Sequence, residues 1–294
     1  MIYGGIMISQ CFPTSRNTDG ETLPAGRYTM ETCGFTQIQM VDILGDAERR
    51  AFGEMARTNN AHITYCIARL LNENKLFLGD LNPVKRERAI ELVKSQYAKA
   101  HEAGAEAITL ISGPQPESEA DRQEALRLLA DSLTQIAAYG RSTAPEISLR
   151  IEPLDVYAHK KNVLGTTEEA ISLCSAVKKS GEHVGLCFDT AHAILNGEDI
   201  VAAVESAGEL IEEFHLCNAC TQREHPLFGD RHIAPGAPGA FDIPDYQRFI
   251  EAVSRCCPNA RVFTEYFCPA DMDGKEMIAH HSRILEASGV TMRR

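Results

Sequence analysis

Eight short β-rich runs, separated by helical patterns, set the tightest limit on how this chain can fold. The runs are IYGGIMIS from Ile2, TQIQMVDI from Thr36, HITYCIA from His62, EAITLIS from Glu106, EISLRIE from Glu146, HVGLCFD from His183, IEEFHLC from Ile211 and RVFTEYF from Arg261. The clearest helical patterns start at Asn82, Ser118, Thr166 and Asp242, and a last one begins at Asp273. Strands alternating with helices imply a parallel sheet joined by crossovers. Eight such units without a linker or low-complexity break predict a single (β/α)8 barrel, one α/β domain over residues 1–294. A doubly wound open sheet is the alternative. It would carry a glycine fingerprint after its first strand, whereas Gly4 and Gly5 lie inside the first run. In the helix from Thr166, Thr167 is the expected cap and Gly181 the expected stop.

The chain has a net charge of -12, which argues against nucleic acid or an anionic membrane as partner, since both need a basic footprint. The opening MIYGGIMISQC has neither a basic start nor a long apolar core, so it does not read as a signal peptide. No stretch reaches the ~20 apolar residues that span a bilayer. The ten cysteines are scattered. Cys66, Cys187 and Cys217 read as small buried hydrophobes. Cys217 and Cys220 form one CxxC with no second to complete a zinc knuckle, and Cys256 and Cys257 are adjacent. This usage fits a reducing, cytoplasmic setting.

In a parallel barrel, functional groups project from the C-terminal ends of the strands. The last four runs end in SLRIEP, GLCFDTAH, EEFHLC and VFTEYF, each with one ligand-type residue: Glu152, Asp189, His215 and Glu265. A single strand-end polar residue is commonly a loop contact, but four consecutive strands with one each form a pattern. Three carboxylates converging on one spot repel and raise one another's pKa, and a divalent cation removes that problem. Three carboxylates and an imidazole suit Mn²⁺ or Mg²⁺, with Co²⁺ or Zn²⁺ as alternatives. Strand alternation places Arg150 beneath Glu152 and Glu213 beneath His215, where they can pair and orient the ligands above.

The loop from Asn218 to Phe241 contains GDRHIAPG, which brings Asp230 and His232 near the mouth. They are read as substrate-hydroxyl binders or as ligands of a second metal shared with His192. Pro235, Gly236, Pro238 and Gly239 make its turn compact. In the loop PLDVYAHKKN, His159 is a candidate for substrate binding or acid chemistry. His62 and His183 lie at the wrong ends of their strands, and His101, His280 and His281 lie in helices, so these five are expected to be structural or surface residues.

The motifs IEPLD, CFDTAH, EFHLCN, DRHIAPG and FTEY make the chain resemble the xylose-isomerase-like TIM barrel superfamily of sugar isomerases and epimerases, most strongly from Ile147 to Phe267. The resemblance implies that Glu152, Asp189, His215 and Glu265 hold one divalent metal, usually Mn²⁺, and that His192 contacts substrate. It implies proton abstraction beside a carbonyl, with Glu152 and Glu265 as catalytic acid and base and a small sugar as substrate. Dimers or tetramers are common in such barrels. Ketose 3-epimerases carry a further glutamate where this chain has Ala158, which leaves the wider isomerase or epimerase reading. A lyase or dehydratase acting on keto-sugars or inososes, including deglycosidases of C-glycosides, uses the same first step. Endonuclease IV shares the barrel and the DTxH and DxH motifs, but its first zinc needs histidines that ITYCIARLL and ITLISGPQ lack. A noncatalytic sugar-binding barrel would have no need of all four ligands.

Overall fold

The computed structural model describes residues 2–267 and 271–292. Its eight principal strands are Tyr3–Met7, Gln37–Val41, His62–Cys66, Ala105–Ile111, Ser148–Glu152, Gly185–Asp189, Ile211–Leu216 and Arg261–Thr264. Each pairs in parallel with its sequence neighbour, and the first also pairs with the last (Tyr3↔Arg261, Gly5↔Phe263). The sheet is therefore closed, as the eight-run alternation predicts, and the chain forms a (β/α)8 TIM barrel. A short strand, Thr291–Met292, runs beside the first (Tyr3↔Thr291).

Strands buried on both faces must be nearly all apolar, and GLCFD is buried at all five positions. Closure brings strands one and eight together at Gly5. A Cβ there would lie 2.4 Å from the Phe263 ring and 2.6 Å from the Gln37 carbonyl, so the position needs glycine. Outside the barrel, Phe188, Phe214 and Phe249 stack within about 6 Å of one another and lock the helix Ile243–Cys256 onto strands six and seven.

The helices begin where cap chemistry allows. Asn82 accepts from Val84 and Lys85 N–H ahead of Pro83, which starts the helix Pro83–Glu102. Asp242 and Asp273 make capping boxes for Ile243–Cys256 and Gly274–Ala287. The helix Thr167–Lys179 corrects the sequence expectation: its cap is Thr166, not Thr167. Thr166 accepts from Glu169 N–H while the Glu169 carboxylate reaches back, a reciprocity open only to the residue three before a glutamate. Gly181 stops this helix as expected, with φ +83.

The segment Asn218–Phe241, read from sequence as a loop, starts as an antiparallel hairpin of Asn218–Cys220 with Gly229–Ile233. It ends in a compact turn in which Gly239 N–H donates to the Gly236 carbonyl at 2.9 Å. Asn218 staples the return. Its Nδ2 donates to Phe241 O at 2.8 Å and its Oδ1 accepts from Phe241 N–H at 3.1 Å. Among the described residues, no helix is long and apolar enough to cross a membrane.

Candidate active site

Glu152 and Asp189 are the last residues of strands five and six, His215 is the penultimate residue of strand seven, and Glu265 follows strand eight. One ligand atom from each lies within 4.8 Å of all the others. His215 Nδ1 is the centre of the group, 2.8 Å from Glu265 Oε2, 3.3 Å from Glu152 Oε1 and 4.0 Å from Asp189 Oδ2.

The surrounding structure aims these atoms. Asp189 divides its two oxygens: Oδ1 caps the helix Thr190–Leu195 by accepting from Ala191 and His192 N–H, which leaves Oδ2 for the centre. Gln10, from the short helix after strand one, donates to Glu265 Oε1 at 3.2 Å. Below the centre, His215 Nε2 lies 3.0 Å from Gln39 Nε2 and 3.4 Å from both Glu213 Oε1 and Cys187 Sγ.

The floor is a buried polar network around Glu213. Its Oε2 accepts from Arg150 Nη1 and Thr64 Oγ1, both at 2.7 Å, and its Oε1 accepts from Gln39 Nε2 at 2.8 Å. This is the Arg150–Glu213 pair expected from strand alternation. Burial opposes the charge of Glu213, but its bond with His215 and the Arg150 guanidinium hold it at about 2.

Above the floor the carboxylates diverge electrostatically. Burial pushes Asp189 up to about 7, with Glu265 and Glu152 adding repulsion against the pull of His192. Burial likewise opposes charge on Glu265, yet His215 and His232 hold it well below the usual carboxylate range. Carboxyl groups this close repel one another and drive their proton affinities apart.

Glu152, Glu265, His192, Asp230, His232 and Lys160 line a cavity of about 280 Å³ at the C-terminal mouth. Phe77, Ile111, Pro114 and Leu154 supply apolar lining to the same cavity. His192 is braced by Asp155, whose Oδ2 lies 3.2 Å from Nδ1. Burial opposes charge on His192, but Asp189 and the Asp155 bond raise it to about 9. Seven of the eight site residues expected from sequence therefore meet here. The eighth, His159, is exposed and lies against Gly229, outside the cavity lining.

His62 and His183 sit at the other end of the barrel, paired with Glu106 at 2.6 Å and Glu212 at 2.7 Å. Of the cysteines expected to be buried apolar fillers, Cys66 is half-buried where strand three ends, close enough to Glu152 and Glu265 to feel their charge. The residues missed from sequence are neutral ones, Gln10, Gln39 and Asn218. The signal for Gln39 was available: QIQMV places two glutamines on one face of a strand whose other residues are apolar.

A closed parallel barrel with a carboxylate–imidazole cluster and a polar cavity at its C-terminal mouth belongs to the class of barrels that bind a small ligand at that face. The family model for the xylose isomerase-like TIM barrel matches residues 29–287, and the chain belongs to that family. No curated protein sequence matches it. Among solved structures, D-psicose 3-epimerase from Clostridium cellulolyticum H10, solved with D-tagatose, is similar over 98% of both chains, with 15% identity and a TM-score of 0.75. The IOLI protein with a bound zinc atom is similar over 98% of both chains, with 16% identity and a TM-score of 0.73. The 3-keto-D-glucoside 4-epimerase YcjR from E. coli covers 98% of this chain and 100% of its own, with 14% identity and a TM-score of 0.71. At these identities the likeness is one of fold.

Proposed function

We propose that this chain is a divalent-metal-dependent isomerase or epimerase acting on a keto-sugar or aldose, built as one barrel domain. The observation that carries the reading is the convergence of Glu152, Asp189, His215 and Glu265 within 4.8 Å at the barrel mouth. The set fits an ion: three carboxylates and one imidazole nitrogen crowd together with too little positive charge to balance them. Oxygen-rich donors of this kind suit Mn²⁺ best, and also serve Mg²⁺, Co²⁺ or Zn²⁺. One structural neighbour, the IOLI protein, holds a zinc atom, which supports a divalent ion here.

A divalent cation held by Glu152, Asp189, His215 and Glu265 would supply Lewis-acid chemistry, polarising a sugar carbonyl and its neighbouring hydroxyl and making the adjacent C–H more acidic. The protein does the rest. Glu265 faces the cavity with Oε1 oriented by Gln10, placed to take a proton from the carbon beside the carbonyl. Glu152, which lines the same cavity, is the second carboxylate available to return one. Return to the opposite face of the same carbon inverts it, and return to the neighbouring carbon interconverts aldose and ketose. His192, Asp230 and His232 offer donors and acceptors to sugar hydroxyls, while the apolar lining meets C–H faces.

The test combines elemental analysis with proton exchange. Purified protein is expected to carry a divalent ion and to wash solvent deuterium into a keto-sugar. An ion-free protein without exchange on a panel of ketoses and 3-keto-glucosides would overturn the proposal. Glu265→Gln is expected to keep the fold and lose turnover by about 10²–10⁴-fold; near-normal turnover would remove Glu265 from its role.

A further inference from the structure

A second group of ligand-type side chains meets above the first, around Asp230 Oδ2. His232 Nε2 lies 3.4 Å from this oxygen and His192 Nε2 lies 3.9 Å from it. Cys217, Asp230 and His232 each bring a donor atom within 4.8 Å of the other two. Asp230 is only 3% exposed, and neither of its carboxylate oxygens meets a directed hydrogen-bond donor among the described residues. The Nδ1 atoms of both histidines are engaged elsewhere. That of His232 lies 3.3 Å from the Glu265 carbonyl, and that of His192 lies 3.2 Å from Asp155 Oδ2. Both Nε2 atoms are left turned toward Asp230. By donor type and burial this is a second cation site.

A cation already stands in it. Lys160 Nζ lies 3.1 Å from Asp230 Oδ2, an ion pair held by charge and not by a directed bond. The lysine reaches in from the exposed end of the loop after strand five, and it lines the mouth cavity beside His192 and His232. A divalent ion bound through Asp230 would need the same oxygen and would sit within a few ångströms of the ammonium. The two charges compete for one carboxylate.

We infer that Lys160 is the resident cation of this second cluster: its ammonium excludes a divalent ion, so the chain takes one metal at the barrel mouth and not two. Removing the amine opens a latent second site made by Asp230, His232 and either His192 or Cys217. The inference rests on the proposed first centre only for the absolute number of ions. The difference between variant and native chain depends on Lys160 alone.

The full chain, its Lys160→Met and Lys160→Gln variants and a Lys160→Arg variant are equilibrated with Zn²⁺, desalted and analysed for zinc per chain. The two neutral variants are expected to hold one more ion than the native chain. Lys160→Arg, which keeps the charge, is expected to match it. Adding Asp230→Asn to Lys160→Met is expected to remove the extra ion. Equal zinc in the native and both neutral variants overturns the inference, as does an extra ion that survives Asp230→Asn. A native chain with no ion at all refutes the first centre instead, while leaving the variant-minus-native difference as the measure of this inference. Lys160 sits in an exposed loop, and two neutral side chains of different polarity guard against a folding defect in either one.

Discussion

Replacing Glu213 with glutamine keeps the volume of the barrel floor and removes one charge from it. The native carboxylate offers two oxygens to four donors: Arg150 and Thr64 at 2.7 Å, Gln39 at 2.8 Å and Thr109 at 3.3 Å. Glutamine has one oxygen, so its amide nitrogen faces donors whichever way it is turned. Arg150 loses its fully buried carboxylate partner and keeps Glu212, 2.9 Å away, and the Thr64 hydroxyl at 3.3 Å. Removing one member of a buried ion pair costs about 3–5 kcal/mol, and the surviving Glu212 bond sets the expectation at the low end, about 3 kcal/mol. A second effect acts on the ligand above. The carboxylate 3.4 Å from His215 Nε2, with the Gln39 amide it holds 3.0 Å from the same atom, fixes the ring's orientation and tautomer and so how Nδ1 is presented to the centre. Losing such a support weakens metal binding by about 10–100-fold. Urea unfolding of ion-free protein reads the first effect, and calorimetric titration with Mn²⁺ reads the second. Unfolding within about 1 kcal/mol of the native chain, together with unchanged Mn²⁺ affinity, would refute the reasoning. Lost stability with unchanged affinity would refute the tautomer argument alone.

Two further predictions concern His281 and Asn218. Burial, with His280 nearby, holds His281 down at about 3, and its ring is stacked on Tyr266 at 4.2 Å with Nε2 unpartnered among the described residues. Between pH 6.5 and 3 the unfolded chain therefore binds a proton that the folded chain does not, so stability falls as pH falls, by about 1.4 kcal/mol per unit. From pH 6.5 to 5.0 this one residue is expected to cost about 2 kcal/mol. Urea unfolding of His281→Phe at the two pH values should lose that part of the slope, and identical slopes would show that His281 is not its source. Asn218→Ala removes the staple of the segment that carries Asp230 and His232, at a cost of about 2–3 kcal/mol for its lost buried bonds. Limited proteolysis should then cut between residues 221 and 241, and unchanged resistance would count against the staple.

Much of the barrel was legible because its constraints are local. Short β-rich runs and capping residues place eight strands and the main helices to within a few residues. Asp189 is legible for the same reason, as a carboxylate between an apolar run and a helix start. The misplaced cap was readable too: Glu169 lies three residues after Thr166, not after Thr167. What could not be read depends on closure. Gln10 reaches Glu265 only because strand one lies beside strand eight, across 255 residues of chain. Gln39 reaches Glu213 across 174. Neutral amides carry no signature of such pairings. Nothing local marks Lys160 as a partner of Asp230, because the hairpin that delivers Asp230 lies 70 residues further along the chain.

The divided carboxylate of Asp189 couples two events that a designer would usually keep apart. One oxygen starts the Thr190–Leu195 helix and the other faces the ligand group. A chain in which this helix has frayed also loses the aim of a coordinating atom. Under the proposed function, retention of an ion should then act as a gauge of local order, lost in a partly unravelled barrel before its overall shape had changed.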